Sequence, residues 1–273
     1  MPGDPANTNI GSPGRVKVMG IVNATPDSFS GDGLEGQAAI ERGLQLAKAG
    51  ADFVDVGGES TRPGHVAVDI EVEIGRAIPV VRALAAAGIA VSIDTSKLEV
   101  AAAAVRAGAQ MINDQWGLVR SPGIGGLAAE SGVALVLMHN QEGHLYAEDI
   151  MSAIKRSLER SITVARSAGI SAAKIFVDPG IGFGKTADQN IEVLRRLTEL
   201  DELGYPILVG ASRKGFLGRL YGQEMEMRSW GTAAVVTACI LRGVDIVRVH
   251  DVAEMVAVAR VAEGLRDQRR VVG

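Results

Sequence analysis

Residues 168–186 read AGISAAKIFVDPGIGFGKT. A small residue and a glycine close a helical stretch, as suits a left-handed helix cap. The β-favouring Ile175, Phe176 and Val177 then end on a carboxylate, Asp178, followed by a proline and Gly180, Gly182 and Gly184 at alternate positions. This reads as a buried strand that stops at an acid and opens into a tight, backbone-exposing loop. An acid at the carboxyl end of a strand, beside a glycine loop, lies where α/β enzymes bind ligands. Alone, a D-P-G is more simply a turn whose Asp satisfies nearby backbone N–H groups. Gly184-Lys185-Thr186 mimics the end of a P-loop, but that motif needs a glycine where Pro179 stands. The G-x-G-x-x-G fingerprint fails too, because Lys185 takes the place of its third glycine.

The same unit recurs along the chain. AGADFVDVGG, AAGIAVSIDTS, AGAQMINDQ, SGVALVLMH, LGYPILVGASRK and RGVDIVRVHD each pass from a helix end through glycine into a short apolar strand with a polar terminus. RVKVMGIVNATPD precedes them as a strand without a helix ahead of it. Helical sequence follows each strand, at roughly 37–49, 69–87, 97–107, 123–131, 148–168, 189–203, 230–241 and 252–265. Strands rich in Val, Ile and Leu on both faces suit a parallel sheet covered by helices. Eight strand-helix units predict a single-domain (β/α)8 TIM barrel over residues 15–273 rather than an open doubly wound sheet. Residues 1–14, rich in Pro, Gly and Asn without an apolar core, read as a flexible N-terminal tail and not a signal peptide.

Bulk composition narrows the partners. The 273 residues are 47% hydrophobic with a net charge of −4, and no basic run offers a nucleic-acid surface. No apolar run has the length to span a membrane. The single cysteine, Cys239, lies in an apolar run and fits a reducing cytoplasm.

The strand ends carry the chemistry: Asn23, Asp55, Asp94, Asn113, His139, Asp178, Ser212 with Lys214, and Arg248 with His250. In a barrel all of them face one mouth. Each has a bland reading alone, and His139 reads as a structural histidine. Asp94 is spared for other work because Ser96 and Glu99 form a capping box for the next helix, and Asp251 with Glu254 is expected to do the same for the last. Buried carboxylates need partners. The scattered histidines do not make a metal cluster. A heteroaromatic ring with several N–H donors fits better: two carboxylates and an amide can read an aminopyrimidinone edge, and Lys214 can donate to its carbonyl. Arg248 and His250 remain for an anionic leaving group.

In this order, GIVNATPDSFS, DVGGESTRPG, SIDTS, IND, LMH, DPGIGFGKT, GASRK and RVHD resemble the dihydropteroate synthase family of pterin-binding enzymes, the folate-pathway target of sulfonamides. The resemblance implies that 4-aminobenzoate displaces diphosphate from a dihydropterin methyl diphosphate, in a cytoplasmic homodimer. It implies that Asp94, Asn113, Asp178 and Lys214 hold the pterin, that Met138 and Phe183 pack on it, and that Asp55 supports the floor. Gly210 and Ser212 belong to the same substrate site. Asn23, Arg248 and His250 resemble the diphosphate group, with Asn23 also near Mg2+. Ser60 to Gly64 resembles the loop that closes over aminobenzoate, so Thr61, Arg62 and Pro63 join the substrate-binding set.

Three departures stand out. The first-loop acid sits one place late, at Asp32. Gly215 stands where a serine that helps hold the aminobenzoate carboxylate is common. Gln115-Trp116 follow Asn113-Asp114 where smaller residues are usual. Two other functions compete: a methyltetrahydrofolate-type methyltransferase barrel, and a non-catalytic pterin-binding paralogue.

Overall fold

The structure, a computed structural model, describes residues 15–25, 34, 36–60, 68–221 and 228–266. The expected tail 1–14, the shifted acid Asp32, and Thr61, Arg62, Pro63 and Gly64 lie outside the described residues.

Eight parallel strands form the sheet: β1 (Lys17–Asn23), β2 (Phe53–Gly57), β3 (Val91–Asp94), β4 (Met111–Asp114), β5 (Ala134–Met138), β6 (Ile175–Asp178), β7 (Leu208–Val209) and β8 (Ile246–Val249). Their order is β6-β5-β4-β3-β2-β1-β8-β7. A parallel bridge between Val177 and Ile207 joins the two edges, and Val177 N–H donates to Pro206 C=O at 2.9 Å. The sheet is therefore nearly closed into a barrel.

The helices between and after the strands are α1 (Gly36–Lys48), α2 (Ile70–Ala86), α3 (Leu98–Arg106), α4 (Gly123–Ser131), α5 (Ile150–Ser167), α6 (Ala187–Arg195), α7 (Gly215–Tyr221), α8 (Arg228–Leu241) and α9 (Val252–Leu265). The (β/α)8 barrel predicted from glycine punctuation is the observed fold. One expected helix, 189–203, is broken: α6 stops at Arg195 and a 3-10 turn, Leu197–Leu203, completes it. Arg196 at the break gives its guanidinium to Asp149, Glu192 and Glu199.

Strand alternation separates two cores. Met19, Phe53, Met111, Ala134, Val136, Phe176, Leu208 and Ile246 fill the barrel interior. Their neighbours Val54, Ile93, Ile112, Leu135 and Leu137 face outward into the larger core with Leu46, Leu84, Ile124 and Ile154 of the helices. Fully burying such side chains is worth about 1.5–3 kcal/mol each.

Neither expected capping box forms. α3 starts at Leu98 with Lys97 as an N-cap that lacks a side-chain cap, so Ser96 lies one place too early; Thr95 Oγ1 accepts the Lys97 N–H at 3.2 Å. Asp251 gives its carboxylate to Arg213 instead of to α9. A full capping box stands at Thr186 and Gln189, at the start of α6.

Candidate active site

Two residues beyond the apolar barrel layer, the same inward period places polar groups. Phe53 leads to Asp55, Met111 to Asn113, Phe176 to Asp178 and Ile246 to Arg248; Asp94 follows the buried Ser92 in the same way, and His250 lies two residues beyond Arg248. Asp55, Asp94, Asn113 and Asp178 are all buried. The barrel thus changes from oil to charge within one pleat repeat, at the carboxyl ends of its strands.

Arg248 is the hub of the floor. Its Nε donates to Asp55 Oδ2 at 2.6 Å and its Nη2 to Asp94 Oδ2 at 2.7 Å. Asn113 Nδ2 donates to the same Asp55 oxygen at 3.0 Å. The other one, Oδ1, has no hydrogen-bond partner among the described residues. Gln115 Nε2 donates to Asp94 Oδ1. Burial raises the Asp94 carboxyl to about 7; Arg248 pulls it down, nearby Asp55 pushes it up, and the Gln115 bond lowers it. The Arg248 guanidinium stays firmly protonated, since Asp55 and Asp94 outweigh the cost of its burial. The sequence paired Arg248 with His250 for an anion; in the structure its Nε and Nη2 bridge two carboxylates.

The loop after β6 is shaped by its glycines and by two lysines. Asp178 Oδ1 accepts the Gly180 N–H at 2.7 Å. Gly180 has φ +71°, and a Cβ there would lie 1.9 Å from the His139 carbonyl oxygen. Gly182, at φ +83°, would drive a Cβ to 2.5 Å from Lys214 Cδ. Only glycine fits either position. Lys214 Nζ donates to the Ile181 carbonyl and sits 4.1 Å above the Phe183 ring. Arg213, held at φ +55°, precedes Lys214; its N–H reaches Thr232 Oγ1 at 3.2 Å. Such strain in a non-glycine residue persists where surrounding contacts enforce it. Burial lowers the Lys214 ammonium to about 7, with Asp178 opposing the shift, while burial raises Asp178 despite its bond from Gly180 and the cations around it.

His139 behaves as the structural histidine expected. It is buried, and burial with nearby Lys185 lowers it to about 3. Lys185, the residue that mimicked a P-loop lysine, folds back under its own loop. Its Nζ contacts His139 Nδ1 at 3.0 Å, Gly180 C=O at 2.9 Å and Phe183 C=O at 3.0 Å.

The remaining strand ends lie around the mouth. His250 Nδ1 lies 3.0 Å from Ser212 Oγ, which also accepts the His250 N–H at 3.2 Å. Met138 is buried at the end of β5. Asn23 closes β1 at the mouth, where its C=O accepts the Leu34 N–H. Gly210 follows β7, facing the Arg248 side chain, 3.7 Å from where its Cβ would be. Gly215 opens α7, with open space among the described residues where its Cβ would be. A cleft of about 470 Å³ is walled by Asp94, Gln115, Trp116, Phe183 and Lys185 and reaches Lys97. Asn113, Asp178, Lys214 and Arg248 are not in its wall; they belong to the strand-end cluster that Asp94 shares with it.

Sequence reasoning assigned no work to Gln115, Lys185 or Lys97. Gln115 carried a signal, its unusual size after Asn113-Asp114. Its neighbour Trp116 now has a contact as well, with the Arg120 guanidinium 3.6 Å over its ring.

Residues 19–250 match the family described as pterin binding enzyme. A dihydropteroate synthase from Synechocystis is 42% identical over 262 residues, covering 92% of this chain and 90% of its own. Among solved structures, the Clostridium difficile dihydropteroate synthase obtained in the presence of pteroic acid superposes with a TM-score of 0.88 at 45% identity, covering 94% of this chain and 98% of that one. The Xanthomonas albilineans dihydropteroate synthase with 4-aminobenzoic acid gives 0.86 at 44% identity, with 92% and 93% covered. A polar strand-end ring on this barrel, with identity this high along nearly the whole length, places the chain in the pterin-binding enzymes, the family of the dihydropteroate synthases.

Proposed function

We infer that the protein is a dihydropteroate synthase, a transferase that joins 4-aminobenzoate to (7,8-dihydropterin-6-yl)methyl diphosphate, giving 7,8-dihydropteroate and diphosphate. The observation that carries this reading is the cluster of Asp94, Asn113, Asp178 and Lys214 at one barrel mouth. A pterin presents ring N–H and amino donors together with one carbonyl. Asp178 and Asp94 supply acceptors, Asn113 an amide, and Lys214 a donor for the carbonyl. Met138 and Phe183 give the flat ring apolar contact. In the reaction the arylamine nitrogen forms a bond to the methylene carbon, the carbon–oxygen bond breaks, and diphosphate leaves with the electron pair. The nitrogen then gives up one proton.

An arylamine is a weak nucleophile, so most help goes to the leaving group. We place the diphosphate by Asn23 and His250, with N–H groups of Arg248 that its two carboxylates do not use. Bridging Asp94 to Asp55 makes Arg248 a link between the pterin edge and the departing anion. Thr61, Arg62, Pro63, Ser212 and Gly215 complete the reading on the aminobenzoate side. A sulfonamide, whose sulfonyl group imitates a carboxylate, would compete there.

The donor set also fits Mg2+. Among the described residues no group of three His, Cys, Asp or Glu side chains could hold a metal ion. Mg2+ keeps several waters and takes one or two protein oxygens plus substrate phosphates, and the Asn23 amide oxygen meets that need. Bound there with the substrate, the ion would neutralise charge on the diphosphate.

Two further readings complete the proposal. Leu220, Trp230, Val261 and Leu265, exposed on α7, α8 and α9, support a homodimer, which sedimentation equilibrium tests. The lone, buried Cys239 supports residence in the reducing cytoplasm, and no helix among the described residues is long and apolar enough to cross a membrane. The deciding experiment mixes both substrates with Mg2+ and follows diphosphate release. Pterin binding without release would make the protein an accessory paralogue. Methyl transfer from methyltetrahydrofolate to a corrinoid protein, in place of release, would make it a methyltransferase.

A further inference from the structure

We propose that Gln115 is a positioning residue for the pterin: it pins the Asp94 carboxylate by the oxygen that Arg248 does not hold, fixing that carboxylate as an acceptor for ring N–H groups. The proposal rests on the reading of Asp94 as a pterin ligand.

β4 and the residue just after it send two amides to two different carboxylates. Met111 lies in the apolar barrel layer, and Asn113 and Gln115 follow it at the inward period of two. Asn113 stands beside Asp94 in strand register, yet its amide goes to Asp55 Oδ2 at 3.0 Å. Asp94 Oδ1 is left to Gln115, whose Nε2 donates to it, while Arg248 Nη2 holds Oδ2 at 2.7 Å. A carboxylate gripped by one oxygen can swivel about its broad terminal torsion. Gripped by both, it keeps one orientation, and two of its roughly four lone-pair sites remain for a ligand. Asp55 differs: Asn113 and Arg248 share its Oδ2, and Oδ1 has no partner among the described residues.

The backbone on either side of Gln115 is fixed. Asp114, buried just before it, accepts the Trp116 N–H at 2.9 Å through Oδ1 and the Leu118 N–H at 2.7 Å through Oδ2. Gly117 donates its N–H to Asp114 C=O at 3.1 Å. It has φ +52°, and a Cβ there would stand 2.8 Å from the Met138 carbonyl oxygen. Leu118 is held at φ +68°, a strain that a non-glycine residue keeps only where its surroundings impose it. Gln115 itself is buried and walls the cleft beside Asp94. Burying an amide costs free energy unless it is hydrogen-bonded, and an apolar side chain would fill the position without that cost. Burial, helped by nearby Asp55, acts to keep a proton on Asp94; Arg248 and the Gln115 bond oppose it.

The test is a double-mutant cycle on the full chain, with the dihydropterin methyl diphosphate as probe and calorimetry as readout. Gln115→Met keeps the length of the side chain and removes its donor. It should raise the Kd about tenfold. The KM for 4-aminobenzoate, at saturating pterin diphosphate, should change less than about twofold. Asp94→Asn should raise the Kd about tenfold or more. In the Asp94→Asn background Gln115→Met should add less than about twofold, because the group it acts through is already gone. If Gln115→Met does not fold, Gln115→Leu takes its place in the cycle; if neither folds, Gln115 serves the fold and the proposal falls. An unchanged Kd in a folded Gln115→Met would overturn it. So would a full tenfold loss repeated in the Asp94→Asn background, since Gln115 would then touch the ring itself or act elsewhere. If the unaltered protein does not bind the pterin, the functional reading fails and takes this inference with it. If it binds and the cycle is additive, the inference alone fails.

Discussion

Lys185 and Lys97 each hold a loop at the barrel mouth with three contacts from one ammonium, and they do it in opposite surroundings. Lys185 sits among neutral acceptors: two backbone carbonyls and the His139 ring. Burial lowers it to about 7, although Asp178 nearby acts to raise it. Lys97 holds two carboxylates and one carbonyl. Burial acts to lower it, but Glu59 and Glu73 more than offset that and raise it above the ordinary lysine value. The loop after β6 gains its shape from left-handed glycines, and its lysine fills a cage the backbone has already made. The segment after β2 is held at its ends by charge. The first construction fixes the loop through its backbone, and the second depends on charge at its ends.

The comparison breaks most sharply at Gly180. Gly180→Ala forces a side chain into a positive φ and against the His139 carbonyl oxygen, which a Cβ would approach to 1.9 Å. Left-handed strain and overpacking together cost about 3–5 kcal/mol. Thermal unfolding should show a fall on the order of 10 °C, with pterin affinity lost as well. A variant with native melting and native affinity would show that the glycine frame is not what holds this side of the mouth.

Asp178→Asn is the next largest effect. The carboxylate accepts the Gly180 N–H and, in the proposed function, ring donors of the pterin. An amide must present N–H on one side. A charged hydrogen bond is worth about 1.5–3 kcal/mol, so pterin affinity should drop by about tenfold to a hundredfold in a protein that still folds. Calorimetry giving unchanged affinity would remove Asp178 from the site.

These two residues were legible in the sequence, and the reason is local. Glycine caps and a period of two mark where each strand ends and which side chain faces inward, so Asp94, Asn113 and Asp178 could be read from spacing. Arg248 could be placed at the mouth but not given its partners, because Asp55 lies 193 residues away in sequence. Lys97 was hidden for the same reason: Glu59 and Glu73 meet it only once α2 packs on β2. Local signals also misled where tertiary contacts outbid them. Asp251 looked like a helix cap until Arg213 claimed it, and Ser96 fell one place short of α3, whose N-cap is Lys97. Pro179 in place of a glycine argued against a P-loop, but spacing alone could not show the cage that Lys185 fills beneath its own loop.

The two lysines should also answer pH in opposite directions. Lys185 is depressed in the folded state, so its contribution to stability grows as pH rises from about 7 toward the unfolded lysine value of 10.5. Lys97 is raised, so its contribution is complete below 10.5 and is lost only at higher pH. From pH 7 to 10, the melting-temperature gap between the unaltered protein and Lys185→Met should therefore move steadily in favour of the unaltered protein. The gap to Lys97→Met should stay flat. Parallel curves for the two variants would mean that the contrast between neutral and charged cages does not govern these loops.

The smallest effect is expected at Gly215, which the proposed function puts on the aminobenzoate side. Gly215 is the first residue of α7, and a Cβ there would meet nothing within 4 Å among the described residues. A serine therefore fits without moving its neighbours, and its hydroxyl can donate to a carboxylate or sulfonyl oxygen where glycine offers only its backbone N–H. One such bond is worth about 0.5–1.5 kcal/mol, so Gly215→Ser should lower the KM for 4-aminobenzoate by up to about tenfold and tighten sulfonamide inhibition in proportion. The pterin constant should stay put, because Lys214 one residue earlier is already held by Ile181 and Phe183 and does not depend on the side chain at position 215. If the Gly215 N–H alone already satisfies the carboxylate, serine adds nothing, and steady-state kinetics will return the same aminobenzoate and sulfonamide constants for both proteins. A change in the pterin constant instead would mean that α7 and the floor of the site move together.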